Sequence, residues 1–204
     1  MHTPEATLTA IVGPMFSGKT EELMRLIKRA QIVKKRVLVI KSPVDQRDEG
    51  HVVTRSLDPS QPGTFIVAGK HPAHTVHDAL EFRQLVEAHD PDILAIDETQ
   101  FFGDWLVEEV SALLEERKGS DFQVIIVGLD MDFMRRPFAT VAAFLALANE
   151  VVKTSAYCFV CLKPANFTQK NGASKERIEA DPGKSSKIYE ARCRSCHKIP
   201  SDQE

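Results

Sequence analysis

Three observations on this 204-residue chain predict an α/β fold: a mainly parallel sheet covered by helices on both faces, with a small unit appended at the C-terminus. Short β-branched apolar runs alternate with segments of helical periodicity from residue 8 to residue 153, the pattern of βα units. Gly13-Pro14-Met15-Phe16-Ser17-Gly18-Lys19-Thr20 matches the phosphate-binding P-loop spacing G-x-x-x-x-G-K-[ST]. All four cysteines fall after residue 153, as Cys158-x-x-Cys161 and Cys193-x-x-Cys196.

Leu8 to Val12 reads as a buried strand, and Thr20 to Ile27 carries apolar residues at helical spacing, the context a P-loop requires. The loop predicts a nucleoside triphosphate ligand. Gly13 and Gly18 let backbone N–H groups turn onto the phosphates, Lys19 offers a cation to the β- and γ-phosphates, and Thr20 offers a hydroxyl to Mg²⁺. Lys34-Lys35-Arg36 then reads as a solvated turn, and Arg36 to Lys41 as a second parallel strand. Residues 42 to 63 hold Pro43, Gly50, Pro59, Pro62 and Gly63, so a long loop is expected there, a functional flap beside the nucleotide site. A short strand is expected over Thr64 to Val67 and a helix over Thr75 to Ala88, with Leu80, Leu85 and Val86 on its apolar face. His71, His74, His77 and His89 lack companion carboxylates or thiolates, and Pro72 interrupts their spacing, so they read as surface residues.

Pro91 to Glu98 is an apolar run ending in two acids, and open α/β sheets gather ligands at the carboxyl ends of their strands. Asp97 stands where a Walker-B acid would hold Mg²⁺ through water. Glu98 points elsewhere and can face the nucleophile that approaches the γ-phosphate, either a water molecule or a substrate hydroxyl. A helix from Trp105 to Glu116, a strand from Phe122 to Gly128, a helix from Val141 to Ala148 and a last strand from Glu150 to Lys153 complete the alternation. Phe101, Phe102, Phe133 and Phe138 lie near the ends of these strands, where they either hold a planar base or fill the core.

The composition changes after residue 153. Residues 154–204 are poor in aliphatic runs, and about 50 residues rarely fold on an apolar core alone, so the chain divides into 1–153 and a zinc-stapled unit over 154–204. Two C-x-x-C knuckles supply four thiolates to a tetrahedral Zn²⁺, which explains both pairs where a redox C-x-x-C explains one. His197 is an alternative ligand, but four cysteines already fill the shell. No apolar run approaches the roughly 20 residues of a membrane span. Met1-His2-Thr3-Pro4-Glu5 lacks the basic start and apolar run of a signal peptide, so a cytoplasmic location is expected. A net charge of −3 and the lack of a basic stripe predict no nucleic-acid partner and no membrane partner. An acceptor hydroxyl is favoured over water, because the chain has no Asn-Lys-x-Asp guanine motif and its small second unit can close over a small molecule. The alternative is an ATP-driven switch with a zinc-ribbon binding module.

The ordered set of motifs, from Gly13 to Arg25 through Asp45-x-Arg47, Asp97 to Phe102, Gly128 to Phe133, Arg136-Pro137-Phe138 and both cysteine knuckles to Tyr189-Glu190-Ala191-Arg192-Cys193, resembles the tetrameric, zinc-containing thymidine kinases over nearly the whole chain. The resemblance implies a P-loop (RecA-like) core with a C-terminal zinc-ribbon lasso. It also implies ATP-dependent phosphorylation of the 5′-hydroxyl of thymidine or deoxyuridine. It implies that Glu98 is the general base, that Lys19 and Arg47 stabilise the transferring phosphoryl group, and that Thr20, Asp45 and Asp97 organise Mg²⁺. Met15, Gln100, Phe101, Leu129, Phe133, Thr168 and Tyr189 would surround the nucleoside, and Cys158, Cys161, Cys193 and Cys196 would hold zinc. A homotetramer and inhibition by thymidine triphosphate are implied in the same way. The chain departs from the family pattern at Thr99, in the segment from Asp181 to Ile188, and at Phe167, where a tyrosine is usual.

Overall fold

The computed structural model describes residues 4–44, 48, 50–57, 60, 65–171 and 188–199. Its centre is a six-stranded sheet in the order β5-β2-β6-β7-β1-β8, built from His74–Thr75, Val37–Lys41, Ile93–Asp97, Gln123–Gly128, Thr7–Val12 and Glu150–Lys153 respectively. Every pairing in it is parallel. Parallel strands need crossovers, and the helices that supply them cover both faces.

Residue parity shows how the sequence builds the two layers, because successive strand side chains point to opposite faces. Leu8, Ala10, Val12, Leu38, Ile40, Leu94, Ile96, Val124 and Ile126 face one layer with Phe82 and Val86 of α2 (Ala79–His89), Leu106, Val110 and Leu113 of α3 (Trp105–Glu116) and Val141 and Phe144 of α4 (Ala139–Leu147). Ile11, Val39, Ile93, Ala95, Ile125 and Val127 face the other layer with Leu23, Met24, Ile27 and Ala30 of α1 (Lys19–Ile32). Each fully buried aliphatic side chain stabilises the fold by about 1.5–3 kcal/mol. Both layers therefore contribute to the stability of the one sheet between them.

The structure corrects four expectations. Residues 42–63 are not all loop. His51–Leu57 forms β3, which pairs antiparallel with β4 (Phe65–Pro72), because Val52-Val53-Thr54 is a β-branched run suited to a strand. β4 accordingly runs further than the short strand expected there. The helix expected from Thr75 starts at Ala79, where the Asp78 carboxylate accepts the Glu81 N–H at 2.9 Å as N-cap; Leu80 lies on its solvent side and Phe82 takes the core position. The turn before β2 is solvated as expected, and its exposed Arg36 also pairs with Asp90 at 2.7 Å and Asp92 at 3.0 Å across the feet of β2 and β6. Among the histidines, His74, His77 and His89 are exposed as expected, and His71 is half-buried.

After β8 the chain enters small separate sheets: β9 (Ala156–Tyr157) with β10 (Pro164–Ala165), and β11 (Phe167–Lys170) with β12 (Tyr189–Arg192), both antiparallel. Their shared core is Ala156, Cys158, Ala165 and Ala191, flanked by Cys193 and Cys196. No helix among the described residues is long and apolar enough to cross a membrane.

Candidate active site

β1 ends at Val12 and the chain turns back into α1 through the P-loop. Gly13 adopts φ 154, and a Cβ there would meet Thr154 O and Oγ1 at 2.5 Å, so glycine is required by both backbone and space. Gly18, at φ 79, caps α1 and turns its N-terminus, with the positive end of its dipole, towards the loop. The Pro14 carbonyl accepts the Ser17 hydroxyl at 2.8 Å and the Lys19 ammonium at 2.7 Å, holding the loop closed around its own cation. Ser17 Oγ also bonds Thr154 Oγ1 at 2.7 Å, which ties the loop to the residue after β8. Thr20 lies half-buried in the first turn of α1.

At the end of β6, Asp97 is 6% exposed, and its Oδ1 accepts the Glu98 N–H at 3.0 Å. Glu98 is half-buried with φ 51, a left-handed conformation that a side-chain-bearing residue occupies at some cost and that re-aims its carboxylate off the strand direction. Gln100 Nε2 donates to Glu98 Oε2 at 2.5 Å, and Gln100 Oε1 accepts the Leu129 N–H at 2.9 Å. This buried amide therefore bridges the tips of β6 and β7. Gly128 leaves it room: a Cβ there would stand 2.7 Å from Gln100 Oε1. Thr99 is fully buried and its hydroxyl donates to the Ile96 carbonyl at 3.2 Å, which accommodates a polar side chain where the family pattern has a small residue.

The C-terminal unit docks on the P-loop. The Met15 N–H donates to Thr168 Oγ1 at 3.1 Å, and the Phe16 and Phe159 rings lie 5.5 Å apart. Thr168 is 5% exposed and Tyr189 8% exposed on neighbouring strands, in the register Thr168↔Ala191 and Lys170↔Tyr189. Phe133 is buried with the Lys170 ammonium 5.1 Å from its ring centroid, so one interaction of that ring is already taken. Phe101 is half-buried beside Gln100, and Leu129 is half-buried above β7. Phe102 and Phe138 belong to the core layer instead. Asp45 and Arg47 lie outside the described residues, as does the segment from Asp181 to Lys187.

Several contributors were not read from the sequence. Thr154, distant in sequence but just past β8 beside β1, locks the P-loop, and no local pattern marks it. Lys41, 2% exposed and in register with Asp97, donates to the Asp48 carbonyl at 2.9 Å and fastens the returning flap; a lysine closing an apolar strand run was the available signal. Phe167 lies under the guanidinium groups of Arg135, at 4.6 Å, and Arg194, at 4.9 Å, which gives this ring an environment that needs no hydroxyl.

Cys158, Cys161, Cys193 and Cys196 bring their Sγ atoms within 4.8 Å of one another, with Cys161 and Cys193 at 3.6 Å. Tetrahedral zinc–thiolate bonds of about 2.3 Å place neighbouring sulfurs about 3.8 Å apart, so the four fit a closed structural zinc site. The thiols also differ in acidity. Burial pushes the Cys158 thiol up, but the backbone N–H groups of Cys193, Cys161 and Val160 outweigh it and draw it to about 6. Cys196, crowded by Cys193 and Cys161, is pushed up to about 12. Four sulfurs this close ionise together only with a cation among them.

The protein is similar in part to a solved structure described as a DNA replication initiation factor, with 14% identity and a TM-score of 0.40 over 72% of this chain and 40% of that one. A likeness that weak carries no argument. A family model described as thymidine kinase matches residues 6–197, from β1 through the last cysteine knuckle. With the P-loop, the strand-end acids and the four-cysteine cluster in the places described, the chain belongs to the thymidine kinase family.

Proposed function

We propose that the protein transfers the γ-phosphoryl group of ATP to the 5′-hydroxyl of thymidine and deoxyuridine. The observation that carries this reading is the bond from Met15 N–H to Thr168 Oγ1, because it joins the phosphate loop to the β11–β12 hairpin that bears Tyr189. Phosphate site and base site then share one wall. Glu98 takes the proton of the 5′-hydroxyl as its oxygen bonds the γ-phosphorus, and ADP leaves with the electrons of the broken bond. Lys19, released from the Pro14 carbonyl by the incoming phosphates, and Arg47 stabilise the charge on the transferring group. Thr20, Asp97 and Asp45 would hold Mg²⁺, which when bound neutralises the β- and γ-phosphate oxygens. Gln100 holds Glu98 in its aim, while Met15, Phe101, Leu129, Phe133, Thr168 and Tyr189 enclose the nucleoside.

Cys158, Cys161, Cys193 and Cys196 hold a structural zinc that staples residues 154–204 into a unit of their own beside the core of residues 1–153. A homotetramer accords with the apolar solvent side of α4, where Ala142, Ala146 and Leu147 are exposed, and with the edge position of β8, which among the described residues pairs only with β1. Thymidine triphosphate would inhibit by placing its base in the nucleoside site and its phosphates on the P-loop, and a cytoplasmic location suits the reduced cysteines.

The test is ADP release with Mg-ATP in the presence of thymidine, deoxyuridine, deoxycytidine or uridine, with products identified by mass. Turnover confined to thymidine and deoxyuridine, yielding 5′-monophosphates, is the expected result. ADP release independent of any nucleoside would replace this reading with that of an ATP-driven switch in which Glu98 activates water.

A further inference from the structure

A cavity of about 680 Å³ lies between the C-terminal unit and the turn after β7, lined among others by Met131, Arg135, Lys153, Lys163, Pro164 and Arg194. Four of these six side chains are cationic. Asn166, Phe167, Cys193 and Ser195 complete polar and apolar parts of its wall, and among the described residues no carboxylate lines it. Two of the cations are partly committed: Lys153 pairs with the buried Asp130 at 2.9 Å, and Arg135 donates to His197 Nδ1 at 3.1 Å and to its carbonyl at 3.2 Å. Among the described residues, Lys163 makes no ion pair or side-chain hydrogen bond, and the Arg194 guanidinium only lies over Phe167. Two exposed cations with open donor capacity thus line a half-open cavity of small-ligand size, and Met131 and Pro164 give it an apolar side.

We propose that this cavity is a second nucleotide site, distinct from the P-loop. Lys163 and Arg194, supported by Lys153, take the phosphates, with the base against Met131 and Pro164. The site is built into the unit that covers the nucleoside: Phe167 lines the cavity, and its neighbour Thr168 reaches the opposite way to Met15. An occupant therefore bears on the strand that joins the two halves of the active site.

Equilibrium binding of a fluorescent, non-hydrolysable ATP analogue to the zinc-loaded protein tests this without turnover, so its outcome is separate from that of the kinase reading. The wild type should bind two molecules per chain. Lys19→Ala should keep only the cavity site, and Lys163→Glu with Arg194→Gln should keep only the P-loop site at its original affinity. Lys163→Glu alone lies outside both knuckles and should weaken the second site at least about ten-fold, the scale of one charge-assisted bond. Zinc content equal to wild type confirms that each variant is folded. A single binding site in the wild type, or a second site unchanged in both zinc-loaded Lys163 variants, would overturn the proposal. Tripolyphosphate should displace the second analogue more weakly than ATP does; equal displacement would overturn the nucleotide assignment in favour of a bare polyphosphate.

Discussion

Glu98 and Gln100 show how much of the proposed chemistry rests on single side chains. Glu98→Gln keeps the shape and an oxygen for the Gln100 amide but removes the base, so kcat should fall by at least about 100-fold while ATP affinity stays within about two-fold. Product formation by quench-flow and nucleotide titration check the two halves, and undiminished kcat would refute the base assignment. Gly128→Ala acts at one remove. Its methyl would press on Gln100 Oε1, only 2.7 Å away, and break the bridge from Leu129 to Glu98. A loss of at least about ten-fold in kcat/KM is expected, measured beside an unchanged zinc content and circular dichroism spectrum. The adjacent acids at a strand end were legible because their position follows from the apolar run before them. The left-handed Glu98 and the locked amide of Gln100 were not, since they depend on the tip of β7, about 30 residues away in the chain.

Elements carry the next level of the argument, and the bond between the P-loop and β11 is its most exposed joint. Thr168→Val keeps the shape and deletes the acceptor for the Met15 N–H, which costs about 1 kcal/mol and should raise the nucleoside KM about five-fold while leaving the KM for ATP in place. Equal effects on both substrates in steady-state assays would show that the bond holds the P-loop rather than the hairpin. At the opposite end of the sheet, the Arg36 side chain and its backbone N–H hold the Asp92 carboxyl below its ordinary value of 3.8. A depressed carboxyl stabilises the fold above its unfolded value and loses that contribution as the pH falls through the folded one. Arg36→Gln should therefore lower Tm slightly at pH 6, with the gap closing below about pH 3.8 in thermal scans. Five of the six central strands were legible, because apolar runs of four to six residues between polar breakers admit little else. β3 was hidden by the prolines and glycines around it, and the start of α2 by a histidine-rich stretch whose backbone joins the sheet as β5. Local composition named the breakers but not the long-range partner that makes an extended segment a strand.

Across the whole molecule, stability is divided unequally. The parallel sheet is buried on both faces by large aliphatic side chains, whereas among the described residues the packed cluster of the C-terminal unit is three alanines and a cysteine, with Phe167 and Tyr189 as its large buried apolar side chains. Burial of so few apolar groups, about 0.8 kcal/mol per methyl group, cannot order a segment that size, and metal binding in such modules contributes on the order of 10 kcal/mol. The cysteine spacing showed that four thiols could meet, but not that Thr168 and Phe159 lie against the P-loop. Zinc removal should therefore have a polar outcome. Chelation under reducing conditions should abolish nucleoside-dependent turnover and release the unit to protease cleavage after residue 153. The remaining core should still bind ATP, with affinity lowered only by loss of the Met15 and Phe16 contacts, and zinc should restore turnover. Binding titrations and mass mapping of the cleaved chain read both effects. Loss of ATP binding in step with zinc would show instead that the two parts fold as one cooperative body, with Thr154 on Gly13 and Ser17 as the coupling.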